Sequence, residues 1–208
     1  MKYCSICPRD CNIDRTTGAG VCGASETLQV AKVMLHHFEE PFISGTRGSG
    51  AIFFSHCNLK CVFCQNHTIS HGGFGKEITQ EQLIHMIQTL EEKGAHNLNL
   101  VSPTQYTLQI VKALRAYKPK IPVVWNSNGY ETVHSLRLLE GLVDIFLVDD
   151  KYAEPDLAQK LSLAQDYSQV AQSAILEMRR QQPQDVFDTN GMMLKGVVVR
   201  HLQLPKQL

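Results

Sequence analysis

Short apolar segments alternate with amphipathic segments along the chain from residue 51 onwards. Five of the apolar segments are the length of a buried strand: residues 51–54 (AIFF), 97–101 (NLNLV), 121–125 (IPVVW), 143–148 (VDIFLV) and 195–202 (KGVVVRHL). Strands that are apolar on both faces and separated by helices are typical of a parallel sheet covered by helices. The pattern therefore predicts an α/β fold.

The segments between these strands predict helices. Thr79 and Gln82 can form a capping box and Gly94 lies where a helix should end, which predicts a helix over residues 79–93. Other helices are expected from residue 103 to shortly before Pro119, over 131–140 and over about 155–181. Right-handed crossovers would curl such units toward a barrel. Five strands do not close one, so the chain is expected to be truncated or to have its exposed edge covered by a partner.

Polar residues come at or just after the ends of the predicted strands. These residues are Cys57, Ser102, Asn126, Asp149 and His201. The carboxyl ends of barrel strands meet at one face, where functional groups collect. Because loops are solvated, a polar residue at any one strand end is weak evidence for a functional site. The whole set is stronger evidence.

The composition narrows the class of protein. The 208 residues are 43% hydrophobic, and 20 basic residues balance 20 acidic ones, which argues against nucleic-acid binding by bulk charge. No apolar stretch predicts a membrane span, and the N-terminus lacks the apolar core of a signal peptide. A cytoplasmic protein is expected, in which thiols serve as metal ligands or redox groups rather than disulfides.

Seven cysteines fall into two groups, one of four and one of three. The first 50 residues form a cysteine-rich leader that contains Cys4, Cys7, Cys11 and Cys22. This spacing is compatible with a structural zinc site, a second iron–sulfur cluster or free thiols. The second group, Cys57, Cys61 and Cys64, has no nearby fourth cysteine, although zinc and ordinary cubane clusters take four protein ligands. A zinc site completed by His56 or His67 is one interpretation.

The spacing CxxxCxxC, with Phe63 before the third cysteine, resembles the signature of the radical SAM superfamily. The resemblance implies a partial (β/α) barrel over residues 51–208, preceded by the leader at 1–50. It implies that three thiolates hold a [4Fe–4S] cluster whose fourth iron binds S-adenosylmethionine (SAM). One electron from the cluster would then cleave the sulfonium and yield a 5′-deoxyadenosyl radical.

Five longer segments resemble those of an uncharacterised branch of this superfamily, one related to pyruvate formate-lyase activating enzyme. The segments are EEPFISGTRGSGAIFFSHCNLKCVFCQN, NLNLVSPT, IPVVWNSNGYE, VDIFLVDDKY and VVVRHLQLP. Members of that branch continue for several more strands, so the chain is expected to lack a C-terminal part. By this resemblance the substrate is the glycine loop of a glycyl-radical enzyme, and the electron donor is flavodoxin-like.

The resemblance also assigns roles after the second and third strands. Ser102 and Thr104 stand where activases receive the SAM amino group with a carboxylate, which this chain lacks there. Asn126 and Ser127 stand near the ribose or methionine portion of SAM. Turn chemistry is the alternative for the Asn-Gly segment that follows.

Further roles fall at the fourth and fifth strands. Asp149 and Lys151 match the positions beside the SAM carboxylate and the substrate backbone, with a surface ion pair as the alternative. Arg200 or His201 is expected to hold the SAM carboxylate. Strand alternation allows only one of these two neighbours to point inward.

Two other classes of function compete with SAM cleavage. The first is an iron–sulfur or zinc-binding electron-transfer module that performs no SAM chemistry. The second is an inactive, truncated remnant of a longer enzyme.

Overall fold

The computed structural model describes residues 3–204, and these form a mostly parallel sheet flanked by helices. The strands are β1 (Gln29–His36), β2 (Ser49–Phe54), β3 (Lys76–Glu77), β4 (Leu98–Val101), β5 (Val123–Ser127), β6 (Ile145–Asp150), β7 (Val186–Phe187) and β8 (Met193–His201). The α-helices are α1 (Pro41–Ser44), α2 (His67–Ser70), α3 (Gln80–Glu92), α4 (Thr107–Ala116), α5 (Val133–Arg137), α6 (Pro155–Ser162) and α7 (Tyr167–Gln181). A 3₁₀ turn, Thr104–Tyr106, precedes α4.

The strand order among the described residues is β3-β1-β2-β4-β5-β6-β8-β7. The pairs β2–β4, β4–β5, β5–β6 and β6–β8 are parallel. The five predicted strands are therefore the five parallel strands of the sheet. The prediction of an α/β fold is confirmed, and the architecture is consistent with a partial β/α barrel.

Helix boundaries follow the local signals where these are strong. Thr79 accepts a hydrogen bond from the backbone of Gln82, whose side chain accepts one from the backbone of Thr79, so the predicted capping box begins α3. Gly94 follows this helix with φ +76°. The single helical region expected over 155–181 is instead two helices, because Leu163 adopts a left-handed conformation (φ +53°) and ends α6.

Strand alternation gives the sheet two faces. Leu98, Leu100, Trp125, Phe146 and Val148 pack in the main core, which includes residues of the covering helices α3, α4 and α7. The alternate residues of the strands face the other side, where Val124, Ile145 and Leu147 form a small apolar cluster with Ile43 and Met193. We call this second side the inner face. By strand alternation it also carries Asn99, Asn126, Asp149 and Arg200.

The leader contributes to the same sheet, which its sequence did not predict. β1 pairs with β2 in antiparallel register, from Val30 opposite Phe54 to His36 opposite Ser49. β1 thus lies before residue 50 and still belongs to this sheet. The domain boundary at residue 50 stays a prediction. None of the helices formed by residues 3–204 has the length and apolarity needed to cross a bilayer.

Candidate functional site

The three-cysteine loop follows β2 and opens into a large cavity of the described residues. Cys57, Cys61 and Cys64 all line this cavity of about 630 Å³. Cys57 and Cys61 are buried and Cys64 is partly buried. The loop turns back on itself where the Cys64 N–H donates to the Cys61 carbonyl (3.2 Å). Local turn geometry thus points all three thiols into one space.

Each cysteine sulfur has a polar side chain beside it. The Asn128 amide donates to Cys57 Sγ (3.2 Å), and the Ser162 hydroxyl donates to Cys61 Sγ (2.9 Å). Cys64 Sγ lies 3.1 Å from the Ser70 hydroxyl. These partners come from three separate elements, so the loop's environment is built by the whole fold rather than by the loop alone.

Burial opposes the ionisation of two loop thiols, Cys57 and Cys61. Burial raises the pKa of Cys57 to about 11, opposed by hydrogen bonds from Leu59 and Asn128, and it also raises the pKa of Cys61. Neighbouring cysteines add to both shifts by mutual repulsion. Thiolates in this loop would repel one another, and a coordinated metal would supply the opposing positive charge.

The zinc interpretation requires a histidine as fourth ligand. His56 Nε2 is already hydrogen-bonded to the Gln29 side chain (2.9 Å). His67 is exposed and stacks on His71 with ring centroids 4.4 Å apart. Within residues 3–204, no three His, Cys, Asp or Glu side chains converge closely enough to hold a single metal ion. The described residues thus do not form a ready zinc site around the loop.

Most of the residues predicted to bind SAM line the same cavity as the cysteines. They are Phe63, Ser102, Asn126, Ser127, Asp149, Lys151, Arg200 and His201. Thr104 does not line it. Its side chain is buried beneath the cavity and donates to Glu131 Oε1 (2.8 Å), so its hydroxyl is directed into the interior.

Arg200 and Asp149 form the charged centre of the inner face. Arg200 Nε donates to Asp149 Oδ1 (2.7 Å) and one terminal nitrogen donates to Asn126 Oδ1 (2.8 Å). Lys151 Nζ lies 2.5 Å from the other Asp149 oxygen, and its side chain is only 12% exposed. The interaction is therefore not a free surface ion pair. Of the two neighbours on β8, Arg200 points inward and His201 is exposed.

Ser102 lies at the end of β4 in a left-handed conformation, with φ +53°. Its N–H donates to the Asn126 carbonyl (3.0 Å), and its own carbonyl accepts from the Gln105 amide (2.8 Å). The same amide also donates to the carbonyls of Ser55 and His56. Gln105 thus ties the end of β4 to the start of the cysteine loop.

Glu39 is a cavity residue that the sequence did not indicate. It lies in the segment after β1, and its side chain is 9% exposed. Its contacts are to Arg200 (3.3 Å), Asn99 (3.3 Å) and Asn126 (3.4 Å), and burial raises its pKa. The carboxylate that the resemblance placed after β4 is absent there, and this one enters the inner face from a different element.

Residues 51–199 match the sequence profile of the radical SAM superfamily, which is more than half of the chain. The chain belongs to the radical SAM superfamily. It is also 34% identical over 218 aligned positions to an uncharacterised protein of Methanocaldococcus jannaschii. The alignment covers all of this chain and 59% of that relative, so the chain spans about three fifths of its relative's length.

The chain therefore has the domain of an iron–sulfur family that uses SAM, and the cysteine loop fits a cluster of this kind. Iron–sulfur clusters are held by cysteine thiolates. The loop offers two buried thiols and one partly buried thiol that share one cavity, each beside a polar side chain. The remaining volume is lined by carboxylate, ammonium, guanidinium and amide groups, which suits a zwitterionic ligand such as SAM.

The leader of this radical SAM protein folds against the cysteine loop. Arg9 donates to the carbonyls of Asn58 (2.8 Å) and Ser162 (3.0 Å), and Lys60 donates to the Cys22 carbonyl (3.2 Å). Burial raises the pKa of Cys7 to about 12, and nearby cysteines of the leader contribute to the rise. The four leader thiols thus lie near one another, and a zinc site or second cluster among them stays a prediction.

Several residues at the site escaped the sequence analysis. They are Glu39, Ser70, Asn128, Glu131, Tyr152 and Ser162. Glu39, Asn128, Glu131 and Tyr152 stood in segments quoted for the family resemblance, but none of them was assigned a role there. Ser162 carries no local signal, because its role depends on a contact with Cys61 about 100 residues earlier in the chain. Tyr152 contacts Ser162 in turn.

Proposed function

We propose that this radical SAM chain holds a [4Fe–4S] cluster on Cys57, Cys61 and Cys64 and cleaves SAM reductively. A cluster held there would supply one electron, taken from an external donor, to the sulfonium of SAM. Cleavage of the bond between sulfur and the 5′ carbon would give methionine and a 5′-deoxyadenosyl radical. Hydrogen abstraction from the substrate then gives 5′-deoxyadenosine and a substrate radical.

The proposal rests on one observation: the three thiols open into a cavity whose remaining walls carry the groups a SAM molecule needs. Arg200 has a terminal nitrogen 3.3 Å from Glu39, a long contact that a ligand carboxylate can replace. Lys151 adds a second cation close by. The Asn126 amide lies at the cavity wall for the ribose or methionine portion, whereas Ser127 lines the cavity but donates its hydroxyl to Glu131.

We further propose that the substrate is the glycine loop of a glycyl-radical enzyme and the donor a flavodoxin-like protein. The support is the resemblance of five segments to the branch related to pyruvate formate-lyase activating enzyme. One of them, VDIFLVDDKY, supplies the Asp149–Lys151 pair at the cavity. As the chain spans 59% of its relative, these assignments concern the activity of a whole protein of that kind.

The first prediction tests SAM cleavage directly. Anaerobically reconstituted protein, given dithionite and SAM, is expected to release 5′-deoxyadenosine, and Cys61→Ala is expected to abolish this release. Chromatography measures the product, and electron paramagnetic resonance measures the change in the cluster signal when SAM is added. Ser173→Ala on the exposed side of α7 is the control, and it is expected to keep the SAM-dependent signal.

Three results would contradict the proposal. A stable cluster in the wild type without any 5′-deoxyadenosine would favour an electron-transfer module. An unchanged spectrum in Cys61→Ala would overturn the ligand assignment. A chain that yields no folded protein unless it is extended to its relative's full length would indicate an inactive remnant.

A further inference from the structure

The three cysteine sulfurs of the loop differ in the quality of their hydrogen bonds. The Asn128 amide that reaches Cys57 also donates to Asn58 Oδ1 at 2.8 Å, which is closer than its 3.2 Å contact with the sulfur. The Ser70 hydroxyl beside Cys64 also contacts His71 Nδ1 (2.9 Å). Ser162 makes the shortest sulfur contact of the three, at 2.9 Å, and it is completely buried.

A second hydroxyl fixes the direction of the Ser162 donor. Tyr152 Oη lies 2.6 Å from Ser162 Oγ, and Tyr152 is itself buried. Since the Ser162 proton is directed at Cys61, Tyr152 must be the donor in the contact between the two hydroxyls. The result is a chain of two hydrogen bonds, from Tyr152 to Ser162 and from Ser162 to the sulfur.

Helix α6 holds this pair against the loop. The Val62 N–H of the loop donates to the Leu161 carbonyl (2.9 Å) at the end of the helix. Leu161 and Ala158 pack with Cys61 and Leu59 in one apolar cluster. Because Ser162 is fully buried and the loop backbone is bonded to α6, Ser162 has little freedom to turn away from the sulfur.

We propose that Ser162, oriented by Tyr152, is a positioning residue that raises the reduction potential of the cluster held on Cys57, Cys61 and Cys64. The inference rests on the cluster assignment in the proposed function. Reduction adds negative charge to the cluster and its thiolates, and a donor aimed at one sulfur stabilises that charge. Burial strengthens the effect, because no water is available to replace the lost donor.

The test is the midpoint potential of the reconstituted cluster, measured by electron paramagnetic resonance during a redox titration without SAM. Ser162→Ala is expected to shift the potential to more negative values. Tyr152→Phe is expected to shift it in the same direction by less, because Ser162 remains but is no longer oriented. Ser135→Ala is the matched control: Ser135 is equally buried, its side-chain oxygen bonds within Thr132–Ser135, and its loss should leave the potential unchanged.

An unchanged potential in Ser162→Ala, with the same iron content as the wild type, would overturn the proposal. A shift of equal size in Ser135→Ala would also overturn it, because the effect would then be a general consequence of destabilisation. The measurement does not depend on SAM cleavage. A wild-type protein that forms no 5′-deoxyadenosine can therefore still show the shift, and the two proposals can fail separately.

Discussion

At the residue scale, Glu131 organises the layer beneath the cavity. One of its carboxyl oxygens accepts from Ser127 (2.7 Å), Thr104 (2.8 Å) and the Trp125 indole (2.9 Å). Its other oxygen is buried and has no hydrogen-bond partner among residues 3–204. Burial raises the pKa of this carboxyl, and the three donors oppose the rise. A single side chain thus links β5 to the turn before α4.

Replacing Glu131 by alanine is expected to lower the free energy of unfolding by about 2–4 kcal/mol, because three buried donors lose their acceptor. Glu131→Gln is the matched control. It keeps an acceptor oxygen and removes the buried charge, so a change within about 1 kcal/mol is expected. Urea denaturation under anaerobic conditions measures both. If both variants lost the same free energy of unfolding, the acceptor oxygen of Glu131 would not be what stabilises the layer.

At the element scale, the turn after β5 and the end of β6 are fitted to each other through Gly129. Gly129 has φ +81°, and a Cβ at this position would lie 2.4 Å from the Asp149 carbonyl oxygen and 3.0 Å from Tyr167 Oη. Tyr167 donates to that carbonyl (2.7 Å) and lies 2.8 Å from the Asn128 carbonyl. The close approach positions Asn128 and Asp149 on adjacent walls of the site.

Gly129→Ala is therefore expected to destabilise the protein by more than about 3 kcal/mol, combining left-handed strain of about 1–2 kcal/mol with a backbone clash. Gly141→Ala tests the strain alone. Gly141 has nearly the same φ, +76°, and no atom within 4 Å of the position of a Cβ. Thermal unfolding of both variants measures the difference. Similar melting temperatures would mean that the backbone relaxes around the new methyl group.

Elements with a strong local signal could be predicted from the sequence. The five parallel strands, the start of α3 at its capping box and the cysteine loop after β2 all depend on patterns within a few residues. β1 could not be predicted, because QVAKVMLH carries only a weak alternation and forms a strand by pairing with β2. The break at Leu163 was missed for a similar reason, since leucine gives no signal for a left-handed helix end.

At the scale of the whole molecule, the site is assembled by contacts between distant parts of the chain. The cysteine spacing and the strand-end residues could be predicted, because each belongs to one segment. Glu39 could not, because its place depends on Arg200, 161 residues later. Thr104 was placed in the site by its position after β4, but the local turn directs its hydroxyl to Glu131. The direction of a side chain depends on its packing against distant residues. A local motif carries no information about that packing.

Arg9 makes another of these long-range connections, because it fastens the leader to the cysteine loop and to the end of α6. Its guanidinium donates to the carbonyls of Asn58, Ser162 and Leu163. It also lies 5.1 Å from the centroid of the Tyr130 ring. A planar fork with several donors can satisfy carbonyls from two segments together, which a lysine ammonium does less well. The leader thus stabilises the loop that carries the proposed cluster.

Arg9→Lys is expected to lower the free energy of unfolding by about 1–3 kcal/mol, through carbonyls left without a donor. It should also speed the loss of iron to a chelator, since the loop and α6 are less firmly held. Arg47→Lys is the matched control, because Arg47 is exposed and its side chain donates to one carbonyl, that of Gly94. The rate of iron release, measured by absorbance, is compared between the two variants. Equal release rates in both variants would mean that the leader does not support the loop, and its packing on the barrel would then need another explanation.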